Sequence, residues 1–180
     1  MINVLIINLG SKLSLFKKLV NKDYFIVEIK KKKINLKNID GLFISNGPGY
    51  PQKFLKYKNI ILYFLYYKIP ILSICLGHQI ISIINKFEIL KLKIGHHGCN
   101  HTLYNKYKNK IYITLQNHNF NIKKKNKKNL INNYKSLIDK TLQNIMSLIF
   151  PLLSFQNHPE GSSGPNDLIK IFEFYNINNE

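Results

Sequence analysis

The sequence contains no alanine, no arginine and no tryptophan, and only two cysteines. Two cysteines make no disulfide framework, and so few suit a reducing compartment, the cytoplasm by default. No apolar run approaches the roughly 20 residues that span a bilayer. The stretch from Met1 to Ile7 lacks a basic region and a small-residue cleavage site, so it reads as a buried strand and not as a signal peptide. Acidic residues are scarce: nine against 27 lysines, for a formal net charge of +18. A balance this basic normally suggests a polyanionic partner. The missing arginine argues against one, because the planar guanidinium is the side chain that suits phosphate and guanine. The crowding of Ile, Asn, Lys, Tyr and Phe, all with A/T-rich codons, points to mutational bias instead. Nucleic-acid binding is therefore disfavoured as the main function.

What is present fits one globular domain of 180 residues with 45% apolar content, long enough to bury a proper core. Ile2 to Ile7 is a continuous apolar run, as in a strand buried on both faces. Ser11 is a candidate N-cap for a helix whose Leu13, Phe16, Leu19 and Val20 recur at helical spacing. Tyr24 to Ile29 reads as a second strand, and the charge run Lys30 to Lys33 as a solvated loop. Gly41 to Ser45 reads as a third strand, entering Asn46-Gly47-Pro48-Gly49. A helix over 52–67 and a strand over Ile69 to Ile74 follow, then a further helix beyond Cys75. The order β-α-β-β-α-β-α implies an α/β fold with a mainly parallel sheet covered on both faces. The second half changes character. Phe87 to Lys93, Thr102 to Tyr107, Ile111 to Gln116 and Leu130 to Leu137 read as short strands separated by turns, an added antiparallel region. Lys123 to Lys128 reads as a loop, Leu142 to Ile149 and Leu152 to Phe155 as strands, and Asn166 to Tyr175 as a closing helix.

Chemistry concentrates at three points. The apolar run Ile69 to Ile74 ends abruptly in Cys75, followed by Leu76, Gly77, His78 and Gln79 and then an apolar helical segment. This is the pattern of a nucleophile elbow, a sharp strand-to-helix turn that presents a reactive side chain above a sheet. Gly77 is expected to permit the tight turn, and the helix N-terminus to favour a thiolate. Alone, Cys75 reads as an ordinary buried cysteine. His158 and Glu160 change the balance. Two residues apart in an extended segment, they share a face, and Pro159 biases His158 toward that conformation. A carboxylate so placed orients an imidazole and stabilises its charged form. A tetrahedral intermediate also needs donors for its oxyanion. The backbone N–H of Leu76 is one, and the Gly47 loop, whose glycines allow close approach to a ligand, offers another.

The ordered set Asn46-Gly47-Pro48-Gly49, Cys75-Leu76-Gly77-His78-Gln79 and His158-Pro159-Glu160 resembles the class I (triad) glutamine amidotransferases, whose fold is flavodoxin-like. It is similar in more detail to the glutaminase domain of carbamoyl-phosphate synthetase small subunits. Gly95-His96-His97-Gly98 with Asn100-His101, Gln116-Asn117-His118 with Phe120, and Ser154-Phe155-Gln156 through Pro159-Glu160 to Gly164-Pro165 and Asp167 carry that likeness across essentially all 180 residues. The resemblance implies that Cys75 is the nucleophile, forming a thioester with glutamine and releasing ammonia. It implies His158 as base and then acid, and Glu160 as its orienter. It implies Gly47, Gly49, Leu76, Gln79, Asn117, Asn119 and Phe120 as glutamine contacts. The ammonia would serve a large subunit that uses ATP, bicarbonate and magnesium to make carbamoyl phosphate for arginine and pyrimidine synthesis; no cofactor is expected in this chain. Two other readings stand beside it: a glutaminase subunit for anthranilate or aminodeoxychorismate synthesis, and a degenerate, non-catalytic partner subunit.

Four residues depart from the pattern. Asn119 stands for a glycine, and its tolerance of left-handed backbone is expected to preserve the contact. Ser73 and Cys99 also stand for glycines, and Tyr50 for an acidic residue. The family's N-terminal small-subunit domain is expected to be absent, so 1–180 reads as a single glutaminase domain. His96, His97, Cys99 and His101 also invite a metal reading. Adjacent strand histidines point to opposite faces, which opposes the convergence a metal requires, so no metal is expected. His118 reads as structural, beside the substrate loop.

Overall fold

The computed structural model describes residues 2–11, 13–20, 24–28, 35–123, 128–161 and 164–174. The first strands form where the apolar runs are densest: β1 (Ile2–Ile7), β2 (Tyr24–Glu28), β3 (Gly41–Ile44) and β4 (Ile71–Ile74). They pair in parallel in the order β2-β1-β3-β4, and β10 (Leu152–Phe155) joins parallel to β4. Antiparallel β9 (Asn144–Ser147) and β7 (Leu130–Ile131) complete this sheet. A continuous apolar strand is buried on both sides, and each face has its own core. Leu5, Ile7, Leu42 and Ile44 pack with Ile61 and Phe64 of α2 (Lys58–Tyr66) and Ile80 and Ile81 of α3 (Leu76–Ile84). On the other face Val4, Ile6, Phe43, Leu72 and Ile74 meet Leu15 and Leu19 of α1 (Leu13–Val20) and Phe172. The mainly parallel α/β sheet is thus the one the element order implies.

The differences lie where turns and helices were expected. Ser11 does not cap α1 by its hydroxyl, which is buried without a partner; Asn8 closes this turn, accepting from the amides of Gly10 and Ser11 at 2.9 and 3.2 Å. The helix expected over 52–67 begins as a 3₁₀ segment, Pro51–Tyr57, before α2. The expected closing helix begins as a 3₁₀ segment, Ile169–Glu173, and its last expected residue, Tyr175, lies outside the described residues. Residues 30–33 and 124–127, assigned to charged loops, lie outside the described residues.

The antiparallel region is present, but as longer strands. β5 (Ile89–Asn105) and β6 (Lys110–Ile122) form one ribbon, with β8 (Tyr134–Ser136) on the other side of β5. Its register shifts between Lys91 and His96 and again between Gly98 and His101. Gly95 and Gly98 lie at these irregularities within one strand, a common use of glycine there. Among the described residues no helix is long and apolar enough to cross a membrane.

Candidate active site

The parallel strands β1, β3, β4 and β10 end on the same side, and their carboxyl ends open onto a cavity of about 660 Å³. Such ends are where open α/β sheets bind ligands, and the volume falls in the usual small-molecule range of about 300–1,000 Å³. All ten residues singled out from the sequence line it: Cys75, His158, Glu160, Gly47, Gly49, Leu76, Gln79, Asn117, Asn119 and Phe120.

Cys75 occupies the turn between β4 and α3 with φ 51° and ψ −103°. A positive φ in a non-glycine residue is strained, and here it falls on the nucleophile candidate itself and not on Gly77. Two backbone bonds hold the strain. The Cys75 N–H donates to the Phe155 carbonyl at 2.7 Å, and the Gly77 N–H to the Ser45 carbonyl at 3.1 Å. Gly77 serves close packing: a Cβ there would lie 2.3 Å from the Ile44 carbonyl oxygen. The same is true of Gly47, whose Cβ would meet the Leu9 carbonyl oxygen at 2.1 Å. Its lack of a side chain seats the loop against the end of β1, beyond any approach to a ligand. Gly49, at φ 109°, is the loop glycine that uses left-handed backbone. Leu76 opens α3, so its N–H has no intrahelical acceptor and is available to an anion.

His158 reaches the site from the segment after β10. Its N–H donates to the Leu115 carbonyl at 2.9 Å, pinning the segment to β6. Its Nδ1 lies 2.8 Å from Glu160 Oε1, both residues being buried. A carboxylate only accepts, so the proton of that bond sits on Nδ1 and Nε2 faces the reaction space. Among the described residues neither Nε2 nor Glu160 Oε2 has a partner at full hydrogen-bonding geometry. Buried polar atoms left without partners mark a place where a ligand or reaction is served. Burial acts to lower the pKa of His158. The charge of Cys75 and hydrogen bonding to it, followed by the hydrogen bond and charge of Glu160, overcome burial and raise it to about 10. The imidazole is thus held as an imidazolium beside the sulfur, the pairing that makes a cysteine nucleophilic.

Two neighbours had no role assigned from sequence. Gln156 donates from Nε2 to Cys75 Sγ at 3.8 Å and accepts from Gln79 Nε2 at 3.2 Å. Asn46 Nδ2 lies 3.4 Å from His158 Nδ1. The polar run Gln156-Asn157-His158 directly after the largely apolar strand Leu152–Phe155 was the available signal for Gln156.

The β5–β6 ribbon forms the opposite wall. Asn119 lies within β6 and is not among the described residues with positive φ, so the left-handed backbone expected of it is not used. Its Oδ1 sits 3.1 Å from His97 Nε2, while Asn117 Oδ1 sits 2.7 Å from His97 Nδ1. Gly95 makes room for this clamp, since a Cβ there would lie 2.3 Å from Asn119 Oδ1. Tyr50 packs edge-on against Phe120 with ring centroids 5.3 Å apart. His96 and His97 do point to opposite faces: His96 is buried and His97 exposed.

The family model of glutamine amidotransferase class-I matches residues 2–177. The chain belongs to that family. Among curated proteins it is 42% identical to the carbamoyl phosphate synthase small chain of Wigglesworthia glossinidia brevipalpis, over 97% of this chain and 48% of that one. It is 42% identical to the small chain of Escherichia coli (strain K12), over 77% of this chain and 36% of that one. The chain spans about half the length of the curated relatives it matches most fully. In fold it is similar to a glutamine amidotransferase from Thermotoga maritima, with TM-score 0.72 and 18% identity over 88% of this chain and 76% of that one. It is similar also to a chain of PurLQS from Thermotoga maritima, with TM-score 0.76 and 14% identity over 99% of this chain and 98% of that one.

Proposed function

We propose that this amidotransferase hydrolyses L-glutamine to glutamate and ammonia, and that it delivers the ammonia to a carbamoyl-phosphate synthetase large subunit. The observation that carries the reading is the strained Cys75 beside a buried His158–Glu160 pair at the wall of a cavity of small-molecule size. The second half of the reading rests on the likeness to carbamoyl phosphate synthase small chains.

In this reading the Cys75 thiolate attacks the side-chain amide carbon of glutamine. Charge builds on the amide oxygen, and the N–H groups of Leu76 and Gly47 receive it. The His158 imidazolium gives its Nε2 proton to the departing nitrogen, so ammonia leaves and a thioester remains. Neutral His158 then takes a proton from water, which attacks the thioester and releases glutamate. The proton returns to Nε2 and the thiolate is restored. Glu160 holds Nδ1–H throughout and stabilises the imidazolium. Gln79 and the Asn117–Phe120 wall hold the substrate. No cofactor takes part in these steps; ATP, bicarbonate and magnesium belong to the large subunit's reaction.

The test is glutamate release by the chain mixed with a cognate large subunit. Wild type releases glutamate, while Cys75→Ala and His158→Ala do not. Equal release by wild type and Cys75→Ala removes the reading.

A further inference from the structure

The histidine-rich ribbon holds a buried polar chain that the hydrolysis above leaves unused. His96 Nε2 lies 2.9 Å from Asp139 Oδ2, and His96 Nδ1 lies 2.9 Å from the Gln116 amide. The same end of that amide lies 2.8 Å from His118 Nε2. His118 Nδ1 lies 2.8 Å from the Phe120 carbonyl oxygen, which also accepts from Gln79 Nε2 at 3.1 Å. His96, Gln116 and His118 are all buried.

Both ends of this chain only accept. Asp139 is a carboxylate, so His96 carries a proton on Nε2. Phe120 offers a carbonyl, so His118 carries one on Nδ1. If the Gln116 oxygen stood between the two rings, each ring would need a second proton. Two imidazolium ions would then sit buried with centroids 4.9 Å apart, which burial and mutual repulsion oppose. Burial, followed by the neighbouring His96, in fact holds the His118 pKa down at about 3. The amide therefore places its NH₂ between the rings and donates one hydrogen to each. Nitrogen and oxygen of an amide are assigned by such bonding patterns. Every donor and acceptor between Asp139 and the Phe120 carbonyl is then matched, and the unpartnered amide position falls to the Gln116 oxygen.

The arrangement has a second state. If His96 moved its proton to Nδ1, the amide would turn its oxygen inward. His118 would then need its proton on Nε2 and would lose the Phe120 carbonyl. Asp139 selects against that state. We propose that Asp139, which does not line the cavity, is a positioning residue: through His96 and Gln116 it locks His118 in its Nδ1-protonated tautomer and thereby fixes the Phe120 wall on which Gln79 is anchored. The proposal rests on the reading of this cavity as a glutamine site.

The test pairs imidazole ¹⁵N NMR with kinetics, on the wild-type chain with its large subunit for turnover. Wild type shows a proton on His96 Nε2 and on His118 Nδ1, with His118 neutral at pH 7. In Asp139→Leu the single His118 tautomer is lost. KM for glutamine rises about tenfold or more while kcat stays within about threefold, the split expected when binding geometry and not the chemical step is disturbed. Thr141→Val, which removes the hydroxyl on the other Asp139 oxygen, leaves the tautomers in place. A wild-type His118 that is charged or protonated on Nε2 overturns the proposal without any variant. So does an Asp139→Leu protein with unchanged tautomers and KM. If the tautomers behave as described but wild type releases no glutamate, the lock stands and the glutamine reading falls.

Discussion

His158 is the residue on which the proposed chemistry turns, and its protonation has a measurable signature. Its folded-state pKa, about 10, lies above the unfolded value near 6.5. The stabilisation from this pairing is therefore complete below about pH 6.5 and is lost as pH rises through about 10. An NMR titration of the His158 ring is expected to show its transition well above neutrality. In Cys75→Ala the transition moves down, because the largest raising influence is gone. Glu160→Gln should lower kcat by about 10²–10⁴-fold, the range for a compromised acid–base group, with little change in KM. These side chains were legible from sequence because their chemistry needs fixed types at fixed intervals: a cysteine after an apolar strand, and a histidine and carboxylate two apart. Asn119 was less so. Its substitution for glycine suggested left-handed backbone, yet the strand keeps it extended and its side chain turns to His97.

At the level of elements, the site depends on α3 lying almost in contact with β3. Gly77→Ala places a methyl group against the Ile44 carbonyl, a backbone atom that cannot swing away. Overpacking of this kind costs about 1–3 kcal/mol. The variant should melt earlier in a thermal scan and lose most glutaminase activity, since the first turn of α3 carries Leu76. The strands of the parallel sheet were legible because burial on both faces demands runs that are apolar at nearly every position, with only isolated polar residues such as Asn3 and Ser73. The ribbon was not. Gly95 and Gly98 carry the same local signal whether they end a strand or shift its register, and only pairing with β6 decides between the two. Short helical segments were overestimated for a related reason: periodicity marks which face is buried but does not separate α from 3₁₀ hydrogen bonding.

The whole molecule carries 27 lysines against nine acidic residues. At this imbalance like charges repel across the folded surface, and salt screens them over a Debye length of about 8–10 Å at moderate ionic strength. The melting temperature is expected to rise as sodium chloride is raised from low to physiological concentration; a flat or falling trend would show that local ion pairs outweigh the net charge. Composition was a divided guide at this scale: the net charge taken alone suggests a polyanion, while the absence of arginine argues against one. In the proposed chemistry Cys75, His158 and Glu160 act together on glutamine. The most direct measurement is glutamate release from L-glutamine by the chain with its large subunit, comparing wild type with Cys75→Ala. Wild type should sustain release and the variant should show none above background; indistinguishable rates would rule that chemistry out.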